Sequence, residues 1–194
     1  VEEVVQLVIN DLKEAETLLA SDPIVSTVPY TLGTKSDADK YVARMNLYGV
    51  KAMLARAYQA KGDNVKAVAY AKEVIESGKF RLLEFASVDQ TEALTDVLFS
   101  DEHIFSLRNK ELKDYSEKLH RDEKKDGATS FKPLPFGSYY NWYEGNNDDV
   151  RYSKWFNLGD FMKYYMDNTD AFFRKMPMIK LSEMYLIVAE CSFD

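Results

Sequence analysis

Residues 44–80 read RMNLYGVKAMLARAYQAKGDNVKAVAYAKEVIESGKF. Two helical patterns meet in this stretch at Gly62-Asp63-Asn64, a helix stop followed by a turn. The spacing predicts a helix from about Ala38 to Lys61, with Ser36 and Asp37 as caps. Its apolar residues form two stripes: Tyr41, Met45, Tyr48, Ala52 and Ala55, and then Leu47, Val50, Leu54 and Tyr58. A helix apolar on two sides is packed between neighbours. A further helix is predicted from Val65 to Ser77, with small Ala67 and Ala71 facing back and Gly78 ending it. Upstream, Val1, Val4, Val5, Val8, Leu12, Ala15 and Leu19 recur at steps of three and four. Glu2, Glu3, Asp11, Lys13 and Glu14 fall opposite, so the chain opens on an amphipathic helix. Ser21-Asp22-Pro23 ends it, and residues 22–37, with two prolines and a glycine, are expected to form a loop with room for a short hairpin.

The helix–turn–helix unit spans about 34 residues and resembles a tetratricopeptide repeat in spacing. Ala55, Tyr58, Gly62 and Ala67 stand at the repeat's offsets. Small residues let antiparallel helices approach, and the glycine closes the turn. No second clear copy is visible.

Composition narrows the function. The 194 residues carry 25 basic and 32 acidic side chains, a formal charge of −7, without a basic cluster. That argues against a nucleic-acid partner, which requires cations to displace phosphate counterions. No apolar run approaches the roughly 20 residues of a membrane-spanning helix. The single cysteine, Cys191, excludes an intrachain disulfide and a multi-cysteine zinc site, and reads as a small buried thiol. Both ends fall in helical patterns, and Val1 is not a start methionine. The expectation is therefore a piece of a longer protein.

Beyond Phe80 the texture changes. Thr91–Phe99 is expected to form a short helix and Glu102–Arg108 a strand. Residues 110–126 balance six basic against six acidic side chains and read as a solvated helix or loop. Residues 131–156 read FKPLPFGSYYNWYEGNNDDVRYSKWF. Nine of these 26 are aromatic, including both tryptophans, and the prolines, glycines and Asn146-Asn147-Asp148-Asp149 predict a loop. A strand at Phe172–Lys175 and a Pro177 lead-in should precede a final helix from about Ile179. Its buried stripe is Leu181, Met184, Tyr185, Val188 and Ala189.

Catalytic patterns are absent: no phosphate-binding glycine loop, no H-E-x-x-H, no G-x-S-x-G. His103 and His120 lack ligand-spaced partners and read as structural or surface residues. The Asn146–Asp149 run lacks the alternating ligands and terminal Glu of a calcium loop and reads as a polar turn. The ring-rich stretch stands out, because exposed rings in a loop are unfavourable unless buried or used. Aromatic faces stack on the apolar faces of sugars while polar neighbours bond the hydroxyls. Trp142 and Trp155 are the leading stacking residues. Tyr139, Tyr140 and Tyr143 can stack or donate hydrogen bonds, and Asn141 can read hydroxyls.

Three segments together resemble the SusD/RagB family, surface lipoproteins of Bacteroidetes that capture nutrients for a TonB-dependent outer-membrane transporter. They are Arg44–Phe80, with its R-x-N opening and A-R-A-Y core; DEHIFSLR, Asp101–Arg108, similar to the family's E-x-I-F-S strand; and MPMIKLSEMYLIVAEC, Met176–Cys191. In the last, Pro177, Leu181, Glu183, Tyr185, Leu186, Ala189 and Glu190 match the family signature, and Lys180 replaces the commoner arginine. Asp149-Val150-Arg151 also resembles a D-x-R turn that often precedes the signature.

The resemblance implies a mostly α fold of tetratricopeptide-like helix pairs in an α–α superhelix, with long aromatic-rich loops and a few short strands. Residues 1–79 would be the helical scaffold, and 80–194 a loop-rich region ending in the signature helix. It implies non-catalytic glycan capture at the outer-membrane surface, without a cofactor or metal. The partners would be an oligosaccharide or polysaccharide and a SusC-like transporter. Membrane contact would come only through an N-terminal lipid anchor outside this segment. Two other readings stand beside it. One is a tetratricopeptide-type scaffold binding a protein or peptide around Arg44, Lys51 and Lys61; the other is a glycoside hydrolase working through a carboxyl pair.

Overall fold

A computed structural model describes residues 2–29, 37–83, 98–112, 114–116, 138–146, 148–157, 160–161, 163–164 and 175–193. The fold is mostly helical with few strands. The chain divides into two compact units. The first comprises Val1–Leu82, Ser100–Leu107 and Pro177–Asp194; the second comprises Leu83–Phe99 and Arg108–Met176.

The first unit is built on four helices: α1 (Glu2–Leu18), α2 (Leu47–Lys61), α3 (Asn64–Glu76) and a last helix, described below. Helix α2 packs against both α1 and α3. It starts nine residues later than the periodicity predicts. Asp37–Lys40 form a 3-10 turn instead, and Asn46 takes the cap. The reason is tertiary. The fully buried Asn46 accepts from the Gly49 N–H at 2.9 Å, and its Nδ2 donates to the Ile104 carbonyl at 2.9 Å. Asn46 satisfies two buried backbone groups at once, which makes it the stronger cap.

The stop at Gly62 falls where expected, at φ 81°, a conformation that glycine adopts without strain. Asp63 then caps α3 through the Lys66 N–H. Ala52, Ala55, Ala67 and Ala71 are fully buried, so α2 and α3 approach closely, and Tyr58 stacks on Tyr70 with centroids 5.6 Å apart. On α1, Ile9 is the buried residue, and Val5, Leu12, Ala15 and Leu19 pack on the core. Val4 and Val8, predicted on the buried face, are exposed. Residues 22–29 hold a 3-10 turn at Pro23–Ser26 capped by Asp22, and no strand.

Strand β1 (His103–Arg108) follows a short 3-10 turn, close to expectation. The ring-rich unit, described below, contains two-residue strands β2 (Phe156–Asn157) and β3 (Asp160–Phe161). Strand β4 (Lys175–Lys180) pairs with β1. Pro177 therefore lies inside a strand and does not lead into a helix. In a two-stranded sheet both strands are edges, where a missing N–H is tolerated. The expected strand residues 172–174, most of the expected helix 91–99 and residues 117–137 lie outside the described residues.

The last helix of the unit runs Leu181–Cys191 and packs on α3 and α2. It buries Leu181, Met184, Ile187 and Cys191, while Tyr185 and Ala189 face out, so the stripe is rotated from the predicted one. Polar bonds tie its start to the scaffold. Arg56 pairs with Glu183, and its Nη2 donates to the Met178 carbonyl at 3.0 Å. Lys180 pairs with Glu102 at 2.9 Å, and Gln59 donates to Glu190 at 2.9 Å.

Candidate functional site

In the second unit the ring-rich stretch is not a continuous loop. Ser138–Trp142 form helix α4 and Val150–Trp155 form helix α5, and the last helix of the first unit is therefore α6. Between α4 and α5, Glu144 and Gly145 adopt φ 54° and 65°. The polar run supplies turn and cap bonds. The Asn146 side chain accepts from the Asp148 N–H, and Asp149 accepts from the Arg151 N–H, each at 2.9 Å. Asp149 thereby satisfies an orphan N–H at the start of α5, a helix where a loop is expected. Strands β2 and β3 follow as an antiparallel pair, with Phe156 opposite Phe161 and Asn157 opposite Asp160. Among the described residues no group of His, Cys, Asp and Glu is arranged to hold a metal ion.

The rings meet one another in a chain. Phe99 lies 5.8 Å from Trp155, and Trp155 lies 6.4 Å edge-on from Phe161. Phe161 lies 5.5 Å from Phe156, and Phe156 lies 6.1 Å from Tyr143. Tyr152 then links Tyr143 and Tyr140, 6.2 Å from each. Two cations cover ring faces: Arg151 over Tyr143 at 5.2 Å and Lys163 over Trp155 at 4.3 Å. Arg151 is held by Asp149, Nη2 to Oδ2 at 2.6 Å, and this hydrogen bond lowers the Asp149 carboxyl from its ordinary range.

The six residues singled out from sequence divide into distinct environments. Trp142 is 60% exposed and stands outside the ring chain. Tyr140 is 53% exposed, but its edge meets Tyr152 and its ring lies over Gly145. A β carbon at Gly145 would sit 2.3 Å from the Tyr140 ring. Tyr143 is half-buried among Tyr152, Phe156 and Arg151, and Asn141 is exposed. Trp155 is half-buried between Phe99 and Phe161 with Lys163 on its face. The Tyr139 side chain lies outside the described residues. Tyr140 and Tyr143 are thus brought together through Tyr152, Trp155 is drawn in through Phe161, and Trp142 meets no other ring among the described residues. Phe156, Phe161, Arg151 and Lys163 belong to the same cluster and were not singled out. The β2–β3 pairing sets the two phenylalanines opposite each other, and no period of 3.6 or 2 relates them to the tyrosines.

Elsewhere, His103 is buried with its Nδ1 2.9 Å from the Ser106 hydroxyl. The cations of the peptide-scaffold reading are engaged: Arg44 with both Asp22 oxygens at 2.8 and 2.9 Å, Lys51 with Glu73, and Lys61 with Gln6 at 2.7 Å. No helix among the described residues is long and apolar enough to cross a membrane. Comparison with protein-family models, with curated proteins and with solved structures returned no match.

Proposed function

We propose that this chain is part of a SusD/RagB-like surface lipoprotein. In this reading it captures a glycan without catalysis and passes it to a TonB-dependent outer-membrane transporter. The helix pair α2–α3, with α1 and α6 against it, would be the tetratricopeptide-like scaffold. The observation that carries the reading is that the three segments of resemblance meet in space. Asn46 of R-x-N bonds the Ile104 carbonyl of E-x-I-F-S, Arg56 of A-R-A-Y pairs with Glu183 of the signature, and Lys180 pairs with Glu102. Residues of the three segments thus tie one to another, two of the ties through matched residues and one through Lys180, which keeps the positive charge of the commoner arginine. The glycan would lie on Trp142, which is 60% exposed, with Asn141 and Tyr140 beside it on α4.

The test is calorimetry on the chain against glycans chosen from an array. Trp142→Ala is expected to weaken the best ligand by at least about tenfold, or ~1.4 kcal/mol. Trp155→Ala is expected to disturb the ring chain and to shift tryptophan emission. If no glycan binds, or Trp142→Ala binds as the parent does, the glycan assignment at this site is wrong.

A further inference from the structure

Helices α1 and α2 leave a groove of about 290 Å³ on the side of α2 away from α3, lined by Val4, Val8, Leu12, Met53, Ala57 and Ala60. Arg56 also borders it, but its guanidinium is paired with Glu183. Apolar surface continues outward along α1, where Val4 and Leu7 are 62% exposed and Leu18 is 75% exposed. The groove follows α1 from Val4 to Leu12, about two helical turns. Such a groove accepts a helix that presents apolar residues at i, i+3/i+4 and i+7.

Charge decides between occupants. Asp11 follows Val8 by three residues and Leu7 by four, so it stands on the outer rim of the groove; Glu14 is one turn further along the same edge. Glu3 precedes Leu7 by four residues on that edge. Glu3, Asp11 and Glu14 are exposed, and none pairs with a cation among the described residues. Lys13, the one cation on α1, is turned away to Glu16 and Tyr70. A second copy docking through α1 would set these carboxylates against themselves. We infer that the groove seats a basic amphipathic helix, an apolar stripe flanked by Lys or Arg, supplied by a protein partner. This inference does not depend on the glycan reading.

The probes are two labelled helical peptides of about 14 residues, one of Leu and Lys and one of Leu and Glu in the same pattern, titrated into the chain by fluorescence anisotropy. The Leu/Lys peptide is expected to bind at least about tenfold tighter. Asp11→Lys with Glu14→Lys, both at exposed positions, should erase or reverse that preference. Val8→Ser with Met53→Ser should weaken the Leu/Lys peptide about fivefold with the carboxylates intact, circular dichroism verifying the fold. Equal binding of the two peptides overturns the inference, as does indifference to either pair of substitutions. A dimer in sedimentation velocity that Val8→Ser abolishes also overturns it, because the occupant is then a second copy.

Discussion

The helical unit and the ring-rich unit both place tyrosines beside helices, and they hold them in opposite ways. In the helical unit long helices come first. Helices α2 and α3 are 15 and 13 residues long and meet through alanines, and the Tyr58–Tyr70 pair fits between them, nearly parallel. In the ring-rich unit the rings come first. Helices α4 and α5 are five and six residues long, far below the length that holds a helix in isolation. Their rings meet at tilted and edge-on angles, as ring quadrupoles prefer. Backbone organises side chains in one unit, and side chains organise backbone in the other.

That contrast can be broken most sharply at Leu54, fully buried on α2. Leu54→Ala is expected to cost about 2–5 kcal/mol. The loss should appear in urea melts followed by far-UV circular dichroism, where the long helices dominate. Both tryptophans lie in the ring-rich unit, so tryptophan fluorescence reports that unit. A Leu54→Ala loss read equally by the two signals would mean one cooperative block and would end the comparison.

Gly145→Ala probes the opposite case. The new β carbon meets the Tyr140 ring, and the positive φ adds strain, so a local cost of about 1–3 kcal/mol is expected. Near-UV circular dichroism and tryptophan emission should change while the far-UV transition stays within error. Trp142→Ala sharpens the contrast within the ring-rich unit. Because Trp142 stands outside the ring chain, its removal should move stability by no more than about 0.5 kcal/mol even where glycan binding is lost.

The smallest effect is acid dependence at Asp22. Burial alone would raise its carboxyl, but hydrogen bonds from Arg44 and from the Ile24 N–H outweigh burial and hold it below the ordinary value. A depressed folded value stabilises the protein above the unfolded value of about 3.9, and that contribution is lost as pH falls through the folded one. Asp22→Asn should therefore flatten the acid limb of stability against pH. An unchanged limb would show that the Arg44 pair contributes nothing.

Much of the helical unit was legible because its signals are local. Gly62 needs a left-handed backbone, and alanines at close approach mark an interface wherever they recur. The start of α2 was not legible. Ser36 and Asp37 are as good as Asn46 by local chemistry, and the choice was made by a carbonyl 58 residues away. The face of α6 was missed for a similar reason. Two stripes fit the same spacing, and packing on α2 and α3 selects the one that carries Ile187 and Cys191. In the candidate site the rings were legible as a group and their backbone was not. The cap at Asp149 reads as an ordinary turn residue until the helix that it starts is seen. The division between Trp142 and Trp155 depends on Phe99, Phe161 and Lys163, whose sequence positions carry no periodic hint.

The Asn46 amide has a consequence for how the chain finds its native alignment. Ser106 N–H meets the Val42 carbonyl at 2.8 Å, and Asn46 meets the Ile104 carbonyl, two residues back along the same edge of β1. Neighbouring residues of a strand turn their peptide groups to opposite sides. A slip of one residue would therefore withdraw both partners at once and strand a buried amide. One side chain thus fixes the register of the strand while it starts the helix.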